Sequence, residues 1–193
     1  MSDFKINSIA TKQGQHGPVI AGVSTVNSTG CMKIPSGPTE FRGGRGRGVV
    51  AGGSQASPVG TVNTMEFIEI ATTGNATDFG DLTFSARYPG SAGDSTRGVF
   101  MGGATPSAIN TICFVTIQTT GDATDYGDLV TASHDIAATS NNTRAIMGGG
   151  GTPSRTNTIE QLTIQTNGNA TDFGDLSRQV DQLGVCSDSH GGL

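Results

Sequence analysis

Paired aspartates recur along the chain, and their type and spacing could bind a metal ion. Each pair brackets an aromatic residue and a glycine. The positions are Asp78, Phe79, Gly80, Asp81, Asp125, Tyr126, Gly127, Asp128, Asp172, Phe173, Gly174 and Asp175. Carboxylates and turn carbonyls can ligate calcium, but the EF-hand spacing is missing. Asx turns, in which Asp accepts hydrogen bonds from nearby backbone amides, explain the pattern without a metal. We therefore predict a structural role for these residues and no metal site.

The remaining polar residues contain no catalytic constellation. A copper site needs several converging Tyr and His ligands. The chain offers only Tyr88, Tyr126, His16, His134 and His190. Its sequence lacks the Gly-x-Ser-x-Gly elbow, zinc-binding spacings and a phosphate-binding loop. We predict a non-enzymatic protein without a cofactor.

Composition argues against several other classes of protein. The net charge of −5 disfavours a general nucleic-acid binder. No run of about 18 apolar residues is present to cross a bilayer, and the N-terminus lacks the pattern of a secretory signal. The cysteines Cys31, Cys113 and Cys186 are scattered and odd in number, which favours buried reduced thiols over a disulfide framework. We expect folding in a cytoplasm without membrane insertion.

An Arg-Gly cluster at residues 42–48 could indicate contact with single-stranded nucleic acid. However, Arg47 opens the run Arg-Gly-Val-Val-Ala-Gly-Gly, and similar runs begin at Arg97 and Arg144. The arginine therefore belongs to a repeated strand that ends in a glycine pair, and we predict no nucleic-acid binding.

The octapeptide around each aspartate pair defines a repeat. Asn75-Ala-Thr-Asp-Phe-Gly-Asp-Leu82 returns twice, so that Asp81, Asp128 and Asp175 lie 47 residues apart. A period of roughly 40–50 residues is typical of four-stranded propeller blades. Short Val, Ile, Thr and Gly runs between turn residues predict an all-β chain. We predict three propeller-blade-type four-stranded repeats in a domain at 41–193, at about 41–95, 96–142 and 143–193.

Within each repeat the order of strands can be predicted. The run that starts at Arg47, Arg97 or Arg144 is the first strand, and the second begins at an Asn-Thr pair. Apolar residues on both faces of the second strand predict a sheet covered on both sides. The repeated aromatic residue is expected to pack between sheets. A third strand is expected after Gly-Asp-Leu, followed by a variable fourth segment at 85–94, 133–142 and 179–188.

The two ends of the chain favour assembly. Two β-prone runs around a turn predict a hairpin in an N-terminal arm at residues 1–40, for attachment or oligomerisation. Three blades are too few for an ordinary closed propeller, which typically takes four to eight. The propeller is then incomplete and covered by a host assembly, closed by other subunits, or part of a longer product.

The repeated pattern Thr-Arg-Gly-Val-Phe, Asn-Thr-Ile and Thr-Gly-Asn-Ala-Thr-Asp-Phe-Gly-Asp-Leu resembles kelch-like repeats in virion structural proteins of marine tailed phages, cyanophages in particular. Residues 17–23 and 35–48 resemble the N-terminal part of such proteins. The resemblance implies a β-propeller and a structural component of the tail, neck, fibre or capsid surface of a bacteriophage. Its partners would be other virion proteins and further copies of itself in an oligomer.

These observations lead to two functional expectations. The first is a virion assembly and display protein, made in the host cytoplasm. The alternative is an adhesin that binds a host receptor or surface glycan through Tyr88 or through loops at 54–60 and 104–109.

Overall fold

The computed structural model describes residues 46–56 and 59–187, so the arm predicted at 1–40 lies outside the described residues. All the regular secondary structure of the described residues consists of β-strands, which confirms the all-β prediction. No helix in these ranges has the length and hydropathy needed to cross a membrane.

Fourteen strands are formed along the described chain. They are β1 Arg47–Ala51, β2 Ser54–Ala56, β3 Val59–Thr61, β4 Thr64–Glu69, β5 Thr77–Asp81, β6 Gly90–Gly93, β7 Arg97–Met101, β8 Thr111–Thr116, β9 Thr124–Asp128, β10 Ala137–Ser140, β11 Arg144–Gly148, β12 Gly151–Thr152, β13 Ser154–Thr163 and β14 Thr171–Val180.

Three larger antiparallel sheets follow the three repeats. Sheet 1 has the order β1-β4-β5 and sheet 2 the order β6-β7-β8-β9. Sheet 3 has the order β10-β11-β13-β12, with β14 also paired to β13. A separate hairpin, β2–β3, lies in the first repeat, where Arg47 and Asp81 are three residues further apart in sequence than Arg97 and Asp128. The described residues do not form a closed propeller.

The sheets are offset from the sequence repeats. The strands β6 and β10 come from the variable fourth segments, yet they pair with β7 and β11 of the following repeat. Each of these segments therefore leaves one repeat and opens the sheet of the next. The chain ties neighbouring sheets together in this way, since a sheet takes strands from two repeats.

The predicted turn at the octapeptide is wrong, because its central residues are themselves a strand. In β5, Asp81 pairs with Thr64 and Asp78 pairs with Glu66, with an irregularity in register between Met65 and Glu66. The strand β9 pairs with β8 in the same manner. Pairing across the sheet satisfies backbone groups that a turn would have satisfied with an aspartate side chain. The third strand thus runs through the octapeptide and does not follow it.

Asx turns occur instead just before the arginine that opens the first strand. The Asp94 carboxylate accepts the amides of Thr96 and Arg97, both at 2.8 Å. Asn141 accepts the equivalent amides of Thr143 at 2.9 Å and Arg144 at 2.7 Å. These turns join β6 to β7 and β10 to β11, and they need only one side-chain oxygen each.

The hydrophobic core is divided between the spaces that separate the sheets. One cluster includes Met65, Phe79, Leu82, Phe100, Cys113 and Val115, from sheets 1 and 2. The other includes Val99, Met101, Ile112, Tyr126, Leu129, Ala145, Met147, Leu162, Ile164 and Ala170, from sheets 2 and 3. The strand β8 contributes Val115 to the first cluster and Ile112 to the second, which confirms the predicted coverage of both faces for sheet 2.

Candidate functional site: the junctions between repeats

The repeated octapeptide lies where consecutive sheets meet. We call the contact between sheets 1 and 2 the first junction, and that between sheets 2 and 3 the second junction. The aromatic residue of the octapeptide is buried in both, with Phe79 2% exposed and Tyr126 3% exposed. Its equivalent in sheet 3, Phe173, is 48% exposed. The octapeptide is therefore a junction element whose third copy is left open.

Glycine in the octapeptide is required by the close approach of the next repeat. Gly80 has a φ of +138°, and a Cβ there would lie 2.5 Å from the carbonyl oxygen of Gly121. Gly127 has a φ of +146°, and a Cβ there would lie 2.6 Å from the oxygen of Gly168. Contacts this short are not tolerated by a side chain, so glycine lets the next loop reach the strand edge.

Backbone hydrogen bonds close each junction at this edge. In the first junction the Gly121 amide donates to the Phe79 carbonyl at 2.7 Å, and the Ala123 amide donates to the Asp81 carbonyl at 2.8 Å. The Asp122 carboxylate accepts the Asp81 amide at 3.0 Å.

The second junction repeats these bonds with the residues 47 positions on. The Gly168 amide donates to the Tyr126 backbone carbonyl at 2.9 Å, and the Ala170 amide donates to the Asp128 backbone carbonyl at 2.8 Å. The Asn169 side chain accepts the Asp128 amide at 3.1 Å. The bonds survive the change from Asp122 to Asn169 because only the side-chain oxygen is used.

An arginine at the start of each first strand also spans the junction. The Arg47 guanidinium lies 4.3 Å from the centre of the Phe67 ring. It donates to the carbonyls of Ile117 at 3.3 Å and Gln118 at 3.2 Å, in the next repeat. The planar, charged guanidinium can stack on the aromatic ring and at the same time donate hydrogen bonds to the carbonyl oxygens.

Arg97 lies in a similar arrangement one repeat later. Its guanidinium lies 3.8 Å from the centre of the Phe114 ring and donates to the Ile164 carbonyl at 3.0 Å and to the Asn167 side chain at 2.9 Å. The sequence pattern predicts that this arginine lies on a strand but does not predict its role between repeats. Its recurrence beside an aromatic residue on the second strand was the available signal.

The ring below the arginine packs in turn on the aromatic residue of the octapeptide. Phe67 and Phe79 meet edge to face with ring centres 6.1 Å apart, as do Phe114 and Tyr126. The Tyr126 hydroxyl has the carbonyls of Thr163 and Thr166 within reach. Burial raises the pKa of Tyr126, and the nearby Arg97 charge offsets part of that rise. This phenol is therefore held neutral as a hydrogen-bond donor.

A buried acid crosses the second junction. Glu160 is 5% exposed and its carboxylate accepts the amides of Val130 at 2.9 Å and Thr131 at 3.1 Å. Burial raises its pKa, more than the two amides lower it, and the Asp172 charge adds to the rise.

A buried cysteine, Cys113, holds the equivalent place in the first junction. Burial raises the pKa of its thiol to about 11, and hydrogen bonds with Thr83 oppose the rise only in part. A thiol with so high a pKa is not a nucleophile at neutral pH.

The open copy of the arginine cluster differs from the other two. Arg144 is exposed, and Gln161 stands where Phe67 and Phe114 stand in the earlier repeats. The Gln161 Oε1 atom is buried and has no hydrogen-bond partner in the described part of the chain. Sheet 3 therefore presents Arg144, Gln161 and Phe173 on an unfinished junction surface.

The aspartate side chains of the octapeptides are exposed to solvent. Asp78, Asp125 and Asp172 are exposed, as are Asp81, Asp128 and Asp175. Among the residues that the structure describes, no three His, Cys, Asp or Glu side chains are grouped to hold a metal ion. The His134 Nδ1 atom lies 2.9 Å from an Asp135 carboxylate oxygen, and the His134 backbone pairs with Gly151 of the next repeat.

The fold and its junctions define the class of protein: an all-β repeat chain whose recurring site joins one repeat to the next. No protein-family model matches the chain, and no curated protein matches it.

Proposed function

We propose that this chain is a non-enzymatic structural protein of a tailed-phage virion, acting as an assembly and display component of the tail, neck, fibre or capsid surface. The observation that carries the proposal is the recurrence of one junction along the chain. The bonds of Gly121 to Phe79 and Gly168 to Tyr126 are equivalent. A chain whose repeated residues serve to stack one repeat on another is suited to a structural role in a larger assembly.

The use of its reactive groups supports the same proposal. The Tyr126 hydroxyl, the Glu160 carboxylate and the Arg97 guanidinium each bind backbone groups of a neighbouring repeat. The Cys113 thiol is buried and its pKa is raised. These groups are consumed by the junctions, so they are not offered to a substrate.

The finer architecture also belongs to this proposal. Sheet 2 is a four-stranded antiparallel meander that packs on both faces, as a propeller blade does. Sheets of this kind, with the sequence resemblance to kelch-like repeats, favour three blade-type units in a propeller that is incomplete or completed by other subunits.

Mass spectrometry and immunogold labelling of purified phage particles would test the virion role. We expect peptides of the chain in the particle and gold at one fixed position on it. Absence of the chain from particles that otherwise contain their full set of proteins would contradict the proposal.

A second function, binding of a host glycan or receptor, is favoured by one surface feature. Tyr88 is 55% exposed, has a φ of +60°, and lies beside Arg87, whose guanidinium is 5.8 Å from the centre of the ring. An exposed ring next to a cation can stack on a sugar. A glycan array probed with wild type and with Tyr88→Asp would test this function. Signal lost in the variant would favour it, and no wild-type signal for any host sugar would contradict it.

A further inference from the structure

The two end faces of the described array are the separated halves of a further junction. On the open side of sheet 1, Val50 is 61% exposed, Ile68 is 39% exposed and Ile70 is 68% exposed. Their equivalents in sheets 2 and 3 are Phe100 and Met147, Val115 and Leu162, and Ile117 and Ile164, all buried or half-buried in the junctions.

The open side of sheet 3 shows the complementary half. Phe173 is 48% exposed, whereas its equivalents Phe79 and Tyr126 are covered by the next repeat. Ile146 and Ile159 are half-buried, whereas the equivalent Val99 and Ile112 are fully buried. Exposed apolar faces of this kind mark protein interaction sites.

We infer that the open face of sheet 3 binds the open face of sheet 1 of a second copy of this chain, by the same bonds that form the two internal junctions. The inference deepens the proposed structural role, on which it rests, by naming the partner. The internal junctions indicate this partner. Sheet 3 carries the residues that contact the following repeat in sheets 1 and 2, and sheet 1 carries the residues that contact the preceding repeat in sheets 2 and 3.

The polar groups needed for this contact are present on both ends. Asn75 stands where Asp122 and Asn169 stand, so its side-chain oxygen can accept the Asp175 amide of another copy. Arg144 stands where Arg47 and Arg97 stand, and its guanidinium would reach the Ile70 carbonyl, the equivalent of the Ile117 carbonyl.

Charge also favours this pairing. Glu66 is the equivalent of Glu160, whose carboxylate binds the amides of Val130 and Thr131. In sheet 3 the equivalents of those two residues are Ser177 and Arg178. The Glu66 carboxylate of one copy would therefore meet a cation on the other.

A contact between two different faces is heterologous, so copies add in one direction and form rings or filaments. This gives a test that a symmetric dimer would fail. Ile70→Asp blocks only the sheet 1 end, and Phe173→Asp blocks only the sheet 3 end. Tyr88→Asp is the matched control, because it puts the same charge in place of another exposed apolar side chain, and Asp135 naturally occupies the equivalent position.

Sedimentation equilibrium of the purified chain would be measured from about 1 μM to about 1 mM, a range that spans weak to moderate affinities. We expect the mass of wild type and of Tyr88→Asp to rise above 19.6 kDa with concentration. Each end variant alone should stay at the mass of one chain. An equimolar mixture of the two should give twice that mass and no more, since one intact junction remains.

A wild type that stays at 19.6 kDa throughout the range would overturn the inference, as would an end variant that assembles alone or a mixture that does not pair. Circular dichroism of each variant would verify that its sheets are intact. Detection of the chain in phage particles is a separate measurement, so the inference can fail while the virion role stands.

Discussion

At the scale of single residues, the arginines of the junctions show how one side chain joins two repeats. Arg97 stacks on Phe114 in its own sheet and bonds to Ile164 and Asn167 in the next. Arg144 is its equivalent and has no such ring beneath it, because Gln161 replaces the aromatic residue. The chain thus contains one arginine that bridges two repeats, Arg97, and an equivalent arginine that does not, Arg144.

Replacing Arg97 with Ala should lower the free energy of unfolding by about 1–3 kcal/mol, because the cation–π contact and two bonds to the next repeat are lost. Arg144→Ala should change it by less than about 0.5 kcal/mol, as expected of an exposed residue. Urea unfolding of both variants at low protein concentration would measure the difference. Equal losses of unfolding free energy in the two variants would contradict a bridging role for Arg97.

The Glu160 carboxylate should give the second junction a dependence on pH. Its pKa is raised in the folded chain above the ordinary value of 4.5, so ionisation of Glu160 opposes folding. That penalty is present in full above the folded-state pKa and disappears as pH falls toward 4.5.

The stability of Glu160→Gln relative to wild type should therefore rise with pH across this window, by about 1.4 kcal/mol for each pKa unit of the shift. Unfolding midpoints of both proteins at a series of pH values would measure it. Asp172→Asn is the companion variant, because it removes the neighbouring charge and should shrink the effect. A relative stability that does not vary with pH would contradict this explanation.

At the scale of elements, the octapeptide strand works as an edge that receives the next loop. A Cβ added to Gly127 at this edge would lie 2.6 Å from the carbonyl oxygen of Gly168, whereas a Cβ added to Gly174, which has the same backbone conformation, would meet no atom within 4 Å. The two glycines therefore separate the cost of positive φ from the cost of crowding.

Gly174→Ala should lose about 1 kcal/mol of stability, from backbone strain alone. Gly127→Ala should lose clearly more, in the range of about 2–4 kcal/mol, since its Cβ would also force the sheets apart. Thermal unfolding of both variants in parallel would show this ranking. If Gly174→Ala proved as harmful as Gly127→Ala, crowding at the junction would not be the reason for glycine.

At the scale of the whole molecule, stability depends on coupling between neighbouring repeats. Each cluster of the core draws on two sheets, so neither face of sheet 2 is buried without its neighbour. Arrays of this type are stabilised by nearest-neighbour contacts. We expect the described repeats to open together and not one at a time.

Cysteine labelling would report this coupling. At about pH 8 a thiol reagent should modify the exposed Cys186 quickly and leave Cys113 protected, because Cys113 is buried and its thiol pKa is about 11. With added urea, labelling of Cys113 should rise together with the loss of circular dichroism. Labelling of Cys113 well before that loss would mean that the first junction opens independently.

The sequence alone determined the class and the periodicity of this protein. The interval of 47 residues identified equivalent positions, and apolar residues on both faces of the second strand predicted a sheet covered on both sides. These properties are local, because strand propensity and side-chain alternation are set by neighbouring residues. The same local reasoning placed the octapeptide aspartates in turns, where it failed.

Only the tertiary structure decided what each repeated residue contacts. The partner of Arg47 lies 70 residues away, at Ile117, and the Gly127 contact exists only because the next repeat stacks on it. The offset that gives β6 to sheet 2 likewise depends on how consecutive repeats pack. A sequence pattern records that positions are equivalent, whereas the stacking of sheets decides which of them are buried and which are left open, as Phe173 is.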